Sequence, residues 1–212
     1  MEKIVYIFIL LIIGGGILFI AITRLLSPEN KSTTNKYIER IAFLFVLIGI
    51  FGFFGSALSS LGAMNWLPKS FEWPIKYTST AAKTNDGFYI VPHSPSGRIQ
   101  IYDEKLKFIR GWPVYASGGV FKLNISENNL INAYTARGQW HYIFNLNGDL
   151  ISKEKFTPKT YDAFNSAGVY LSIPIAPWLI VFSHPFYSWI LAIIGMIILI
   201  KLDKIMKRKK TS

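Results

Sequence analysis

The chain carries three imidazoles, His93, His141 and His184, and a metal ligand or general base would first be sought among them. Both roles need partners at fixed spacing. None of the three belongs to an HExxH pair or neighbours two carboxylates. His93 falls in a Pro/Ser turn, and His141 lies on an alternating strand as a core histidine with its nitrogens satisfied. His184 reads as a cap or interface residue. No G-x-S-x-G is present, no Ser-x-x-Lys stands in a suitable context, and no glycine-rich phosphate loop exists. The glycines at 14–16 lie within an apolar run, and the Gly118-Gly119 pair opens a strand. Asp86, Asp103, Glu104, Asp149 and Asp162 mostly occupy turn sequences, where a carboxylate satisfies local backbone groups. The absence of cysteine excludes disulfides, thiolate zinc sites, cysteine nucleophiles and iron–sulfur clusters. The expectation is a chain with no catalytic residue, no metal site and no cofactor.

The elements that would position any site are mostly apolar. Of 212 residues, 51 % are hydrophobic and only 17 % charged. The excess gathers in three blocks, residues 4–22, 41–61 and 186–200, none of which contains Asp, Glu, Lys, Arg or His. Crossing a bilayer core of about 30 Å takes about 20 helical residues, so three transmembrane helices are expected. The first block is too long for a signal h-region of about 7–15 residues and lacks a small-x-small cleavage pattern. In the third, Lys201 snorkels and extends the helix to about Met206. Carriers and voltage sensors keep ionisable residues inside their spans, so a transporter acting alone is disfavoured. Gly52, Gly55, Ser56 and Ser59 repeat at four-residue spacing and form a candidate face for close helix packing. Trp66 and Trp73, then Trp178, Phe182, Phe186, Tyr187 and Trp189, read as interfacial belts.

The net charge of +11 would suit a nucleic-acid binder were it spread over one face. It is densest beside the apolar blocks instead, so nucleic acid is not an expected partner. Arg24, Lys31, Lys36 and Arg40 crowd the short link, and Lys201, Lys204, Lys207, Arg208, Lys209 and Lys210 crowd the tail. No Lys or Arg occurs over residues 160–200. The positive-inside rule then places link and tail in the cytoplasm, with the N-terminus and residues 63–184 outside. Lys207, Arg208, Lys209 and Lys210 are candidates for contact with anionic lipid. Usage rich in Lys, Ile and Asn points to a bacterial inner membrane.

Residues 75–175 follow a different grammar, short apolar/polar alternations separated by TNDG, HSPSG, DEK, ASGG, ENN, ARG, LNGD and FNSAG. That predicts strands and turns. A shift of 42 residues lays Phe88 on Leu130, Ile101 on Ile143, Tyr102 on Phe144, Phe108 on Leu150 and Ile109 on Ile151, with a partial third copy in AGVYLSIPI. Periods near 40 with four strands each mark propeller blades. Gly87, Tyr89, Val91, Arg98, Ile99, Gln100, Ile101, Tyr102 and Asp103 resemble the repeat of NHL-type β-propellers. The resemblance implies sheet architecture and no particular function. It also departs from the family, since two and a half blades do not close a ring of four to eight.

The expected fold class is therefore membrane α plus all-β: three transmembrane helices with an antiparallel β-meander, partial-propeller-like, inserted between the second and third. Its parts are a two-helix anchor (1–62) with cytoplasmic link 24–40, an extracytoplasmic β domain (63–184) carrying the 42-residue repeat, and a third helix with basic tail (185–212). Trp140, Tyr142 and Phe144 line one face of a strand and are the candidate interaction surface. The expected function is that of a membrane accessory protein whose partners are the lipid bilayer and another protein or a second copy. An extracytoplasmic ligand-binding sensor, or a non-catalytic subunit of a transporter or enzyme complex, is the alternative.

Overall fold

An apolar run that meets lipid must satisfy its backbone polar groups internally, and a helix does so locally. The computed structural model describes residues 14–16, 18, 19, 22, 23, 33–163 and 168–211. Two apolar runs in it are long helices, α1 (Thr33–Ser60) and α3 (Pro185–Thr211), with the short α2 (Pro158–Ala163) between them. Their stretches Lys36–Ser60 and Pro185–Leu202 are long and apolar enough to cross a bilayer, yet only 39 % and 22 % of them is buried. A core helix of a soluble fold would be mostly enclosed. Here Phe51, Ile41 and Ile197 point outward, as lipid-facing side chains do. The two helices support a multi-pass membrane protein. At the start of α3, His184 Nδ1 accepts the Phe186 N–H at 3.2 Å, and Pro185 occupies the first turn, where its missing N–H leaves no bond unmade.

The expected fold class needs two corrections. Among the described residues two helices, not three, are candidate spans. Residues 14–16, 18, 19, 22 and 23 are helical, and the rest of the first expected span lies outside the described residues, as do residues 24–32 of the link. The second correction is to the sheet: the strands form two open antiparallel sheets with no propeller-type closure. A meander has the same local sequence grammar whether or not its sheets go on to ring closure, so the spacing alone does not distinguish the two outcomes.

The chain divides into two compact units, residues 1–54 with 184–212, and residues 55–183. In the first, α1 and α3 meet through small residues. A Cβ added at Gly49 would stand 2.5 Å from Ala192 N and Ser188 O, and one at Gly195 would stand 2.6 Å from Ala42 O. Ala42, Val46, Ser188 and Ala192 are buried around these contacts, and Phe53 meets the Trp189 ring at 5.2 Å. Without a hydrophobic force between helices in lipid, such backbone approach supplies the packing energy.

Among the described residues the second unit holds nine strands: β1 (Tyr77–Lys83), β2 (Tyr89–His93), β3 (Arg98–Tyr102), β4 (Phe108–Pro113), β5 (Phe121–Ile125), β6 (Ile131–Thr135), β7 (Trp140–Phe144), β8 (Leu150–Lys155) and β9 (Val169–Ser172). One sheet runs β4-β3-β2-β1-β9 and the other β5-β6-β7-β8. Ile90, Ile99, Ile101 and Trp112 of the first pack with Phe121, Leu123, Ile131, Ala133, Tyr142 and Phe144 of the second. The far face of the first sheet has its own core of Ile75, Ala81, Val91, Tyr102, Leu171 and Ile173.

Positions 42 residues apart occupy equivalent places in the two meanders. Tyr89 pairs with Tyr102 as Ile131 pairs with Phe144, and the bulge at Ile101/Tyr102 recurs at Ile143/Phe144. Left-handed backbone falls at Gly87 and Asn129, at Gly97 and Gln139, and at Leu106 and Gly148. Asp103 accepts the Lys105 and Lys107 N–H groups as Asn145 accepts those of Asn147 and Asp149. These side-chain bonds fix each turn, and the turn fixes strand register.

Candidate functional site

Burial of β3 on both faces creates the main polar cluster. Its five residues are all buried. Ile99 and Ile101 face the second sheet, whereas Arg98, Gln100 and Tyr102 alternate to the other side. There the chain leaving α1 crosses the sheet as a strap, residues 68–76. Gln100 Oε1 accepts the Trp73 N–H at 2.5 Å, and its Nε2 donates to Trp73 O at 3.0 Å and to Tyr102 Oη at 2.7 Å. Tyr102 Oη donates to Glu72 Oε1 at 3.1 Å. Burial, with the Glu72 charge next, pushes the Tyr102 hydroxyl well above its ordinary range. Burial also raises the Glu72 carboxyl, an effect partly offset by the Tyr102 hydrogen bond. The Gly111 N–H donates to Lys69 O, and Lys69 Nζ reaches Asn147 O and Asp149 Oδ1 at 2.7 Å. The hydrogen bond from Lys69, and next that from Asn145 Nδ2 at 3.1 Å, hold the Asp149 carboxyl below the usual carboxylate range. The strap therefore touches both sheets.

Arg98 differs from its neighbours in the row. It is fully buried, Nη2 meets Pro68 O and Phe71 O only at 3.4 Å, and the guanidinium stands 5.7 Å from the Phe71 ring, while Nε and Nη1 have no hydrogen-bond partner among the described residues. Burial pushes the guanidinium down to about 10, equivalent to a cost on the order of 3 kcal/mol for keeping it charged. Arg98→Met is accordingly expected to stabilise the full chain in detergent, as removal of poorly compensated buried charge does, by about 1–4 kcal/mol. The sign has a pH signature. A base with a lowered folded pKa costs stability below that value and is relieved as pH climbs past it, so the gain from the variant should shrink above about pH 10. Loss of stability in the variant would refute this.

A second cluster ties together the segments that lead into both long helices. His93 Nε2 donates to Ser183 O at 3.0 Å, and Nδ1 accepts from Ser96 Oγ at 2.7 Å. Ser59 Oγ, in the last turn of α1, donates to Ser96 O at 2.7 Å. Trp73 Nε1 donates to Phe182 O at 3.2 Å. The close fit depends on Gly97, whose φ is +62° and where a Cβ would lie 2.9 Å from Ser60 Cα. Ser96 and His93 resemble a nucleophile and base in distance alone, because Ser96 is fully enclosed and His93 is 5 % exposed.

The sequence-predicted residues fall as follows. Tyr142 and Phe144 are buried in the core between the sheets, and burial pushes the Tyr142 hydroxyl up to about 12. Trp140 is half-buried beneath Lys153 and Lys155, whose ammonium groups stand 4.2 and 4.0 Å from its ring. Gly55 approaches the Trp73 ring, Ser59 bonds to the β2–β3 turn, and Gly52 and Ser56 are buried. Lys207, Arg208, Lys209 and Lys210 continue α3, with side chains outside the described ones. His141 bonds Glu154 Oε1 and Asn132 Oδ1, both at 2.9 Å, and stacks on Tyr134. Sequence reasoning passed over Gln100, Arg98 and His93 as site residues. The available signal was polar side chains on a strand where both alternating sets are otherwise apolar.

Among the described residues no three His, Asp or Glu side chains gather as metal ligands. A shallow depression lined by Phe88, Ile101, Ile109, Arg110, Leu146 and Asn147 measures about 70 Å³, well under the roughly 300–1,000 Å³ of small-molecule sites. Compared with family models, curated proteins and solved structures, the chain matches none of them.

Proposed function

We propose that this is an integral membrane accessory protein that presents its β domain outside the cytoplasm to a protein partner, without catalysis of its own. The observation that carries the reading is the His93 cluster. Segments 55–60 and 182–183 are bonded into the β domain by buried hydrogen bonds, so these polar groups serve the domain's own packing. Enclosure of Ser96 and His93 favours a structural over a hydrolytic role.

Orientation follows from charge: the link and the tail carry the basic residues and lie in the cytoplasm, and usage rich in Lys, Ile and Asn suits a bacterial inner membrane. Native mass spectrometry of the chain extracted from its own membrane in mild detergent tests the accessory role. A stoichiometric second component is the expected result, and a lone monomer would refute it. The tail also holds anionic lipid, at about 1 kcal/mol per basic residue near the surface. A peptide of residues 201–212 should leave phosphatidylglycerol vesicles as salt rises, and binding indifferent to salt would dismiss the contact.

A further inference from the structure

We propose that the β domain itself is seated in the lipid leaflet, through the 3₁₀ helix Pro177–Phe182 and Trp66. The proposal rests on the reading that α1 and α3 cross the membrane. Its starting point is a segment that breaks the usual rule of burial. Pro177–Phe182 reads PWLIVF, six apolar residues of which none is buried. Trp178 is 70 % exposed and Ile180 37 %.

The exposure does not come from a loose end. Leu179 N–H donates to Ala176 O at 2.9 Å, Ser183 N–H donates to Ile180 O at 3.0 Å, and Ser183 Oγ donates to the same carbonyl at 2.7 Å. The Phe182 and Ser183 carbonyls accept from Trp73 and His93. Before the helix, Ile173 is buried and Ile175 packs against the far core of the first sheet. The segment is thus clamped at both ends while Pro177, Trp178 and Ile180 stay exposed and Leu179, Val181 and Phe182 are half-buried.

Contiguous apolar surface left in water marks an interface, and the chain indicates which kind. No Asp, Glu, Lys or Arg occurs over residues 163–200, and the span Pro185–Leu202 starts three residues after Phe182. Trp66, 73 % exposed, stands six residues after the span Lys36–Ser60 ends. Two exposed indoles thus flank the two spans, each on the side nearer the β domain in sequence. Trp73, by contrast, is buried with its N–H bonded to Phe182 O, so it drops out of the expected belt while Trp66 and Trp178 remain exposed. Indole suits the headgroup level because its ring is apolar and its N–H polar. An apolar helix lying in the plane there sinks about 5–10 Å. The β domain is then supported by the bilayer as well as by its covalent connections.

The lack of native cysteine makes the test direct. Full-length single-cysteine variants Trp66→Cys, Trp178→Cys and Ile180→Cys are spin-labelled and reconstituted in phosphatidylcholine/phosphatidylglycerol vesicles. Collision with oxygen is compared with collision with a water-soluble nickel chelate. Tyr170→Cys, on the edge strand β9, is the aqueous reference, and Ile193→Cys, in α3, is the lipid reference. Labels at 66, 178 and 180 are expected to favour oxygen severalfold over the Tyr170 reference, at shallower depth than Ile193. Nickel access equal to that at position 170 would overturn the proposal, since the segment would then face water. Poor access to both reagents would also overturn it, since a protein partner or second copy would cover the segment. If position 193 itself proved nickel-accessible, the spanning reading would fall and this proposal with it.

Discussion

Gln100→Leu is expected to destabilise the β domain by about 2–6 kcal/mol although it replaces a polar side chain in a buried strand with an apolar one. The reason is what it leaves behind. Trp73 N–H and C=O are both bonded to the Gln100 amide, and Tyr102 Oη accepts from it. Each buried backbone group stranded without a partner costs about 1–3 kcal/mol. Removing the amide strands two of them and releases the strap from β3. Denaturation of the full chain followed by tryptophan fluorescence should show the loss, and protease should cut first within the strap. An unchanged midpoint would mean that the strap does not depend on Gln100. Arg98, two residues away, differs: the buried amide has all its hydrogen-bond partners, and two of the buried guanidinium nitrogens have none.

Gly49→Leu should damage the helix pair about as severely. The added carbons would fall on the backbone at Ala192 and Ser188, 2.5 Å away, and not on the end of a flexible side chain. Overpacking of a filled interior costs about 1–3 kcal/mol, and here only separation of the helices relieves it. Gly15→Leu is the matched control, because a Cβ at Gly15 meets nothing within 4 Å. Thermal unfolding in detergent should fall sharply for the first variant and stay unchanged for the second. Equal behaviour would remove the small-residue contact from the account.

The two spans are legible in the sequence because lipid imposes one demand, continuous apolar length, that a single chain displays directly. Turn positions are legible for a similar reason, since Asp103 and Asn145 act on backbone groups only two and four residues away. Long-range choices are not. Alternation places Trp140, Tyr142 and Phe144 on one face without saying that this face is the core. Trp66 and Trp73 have similar local contexts, and the Phe182 carbonyl on one of them accompanies the difference between an exposed indole and a buried clamp. Ring closure of the meanders depends on sheet-to-sheet packing that the 42-residue repeat does not encode. Gln100 and Arg98 matched a repeat pattern, which concealed that they meet a strap of low sequence regularity.

The proposed role requires the β domain to lie across the membrane from the basic tail. A membrane-impermeant maleimide reports that directly, since the chain contributes no cysteine of its own. Lys105→Cys, in the exposed β3–β4 turn, should be labelled in intact cells. Ser212→Cys should be labelled only after the membrane is broken. Labelling of position 212 in intact cells, or protection of position 105, would contradict the account.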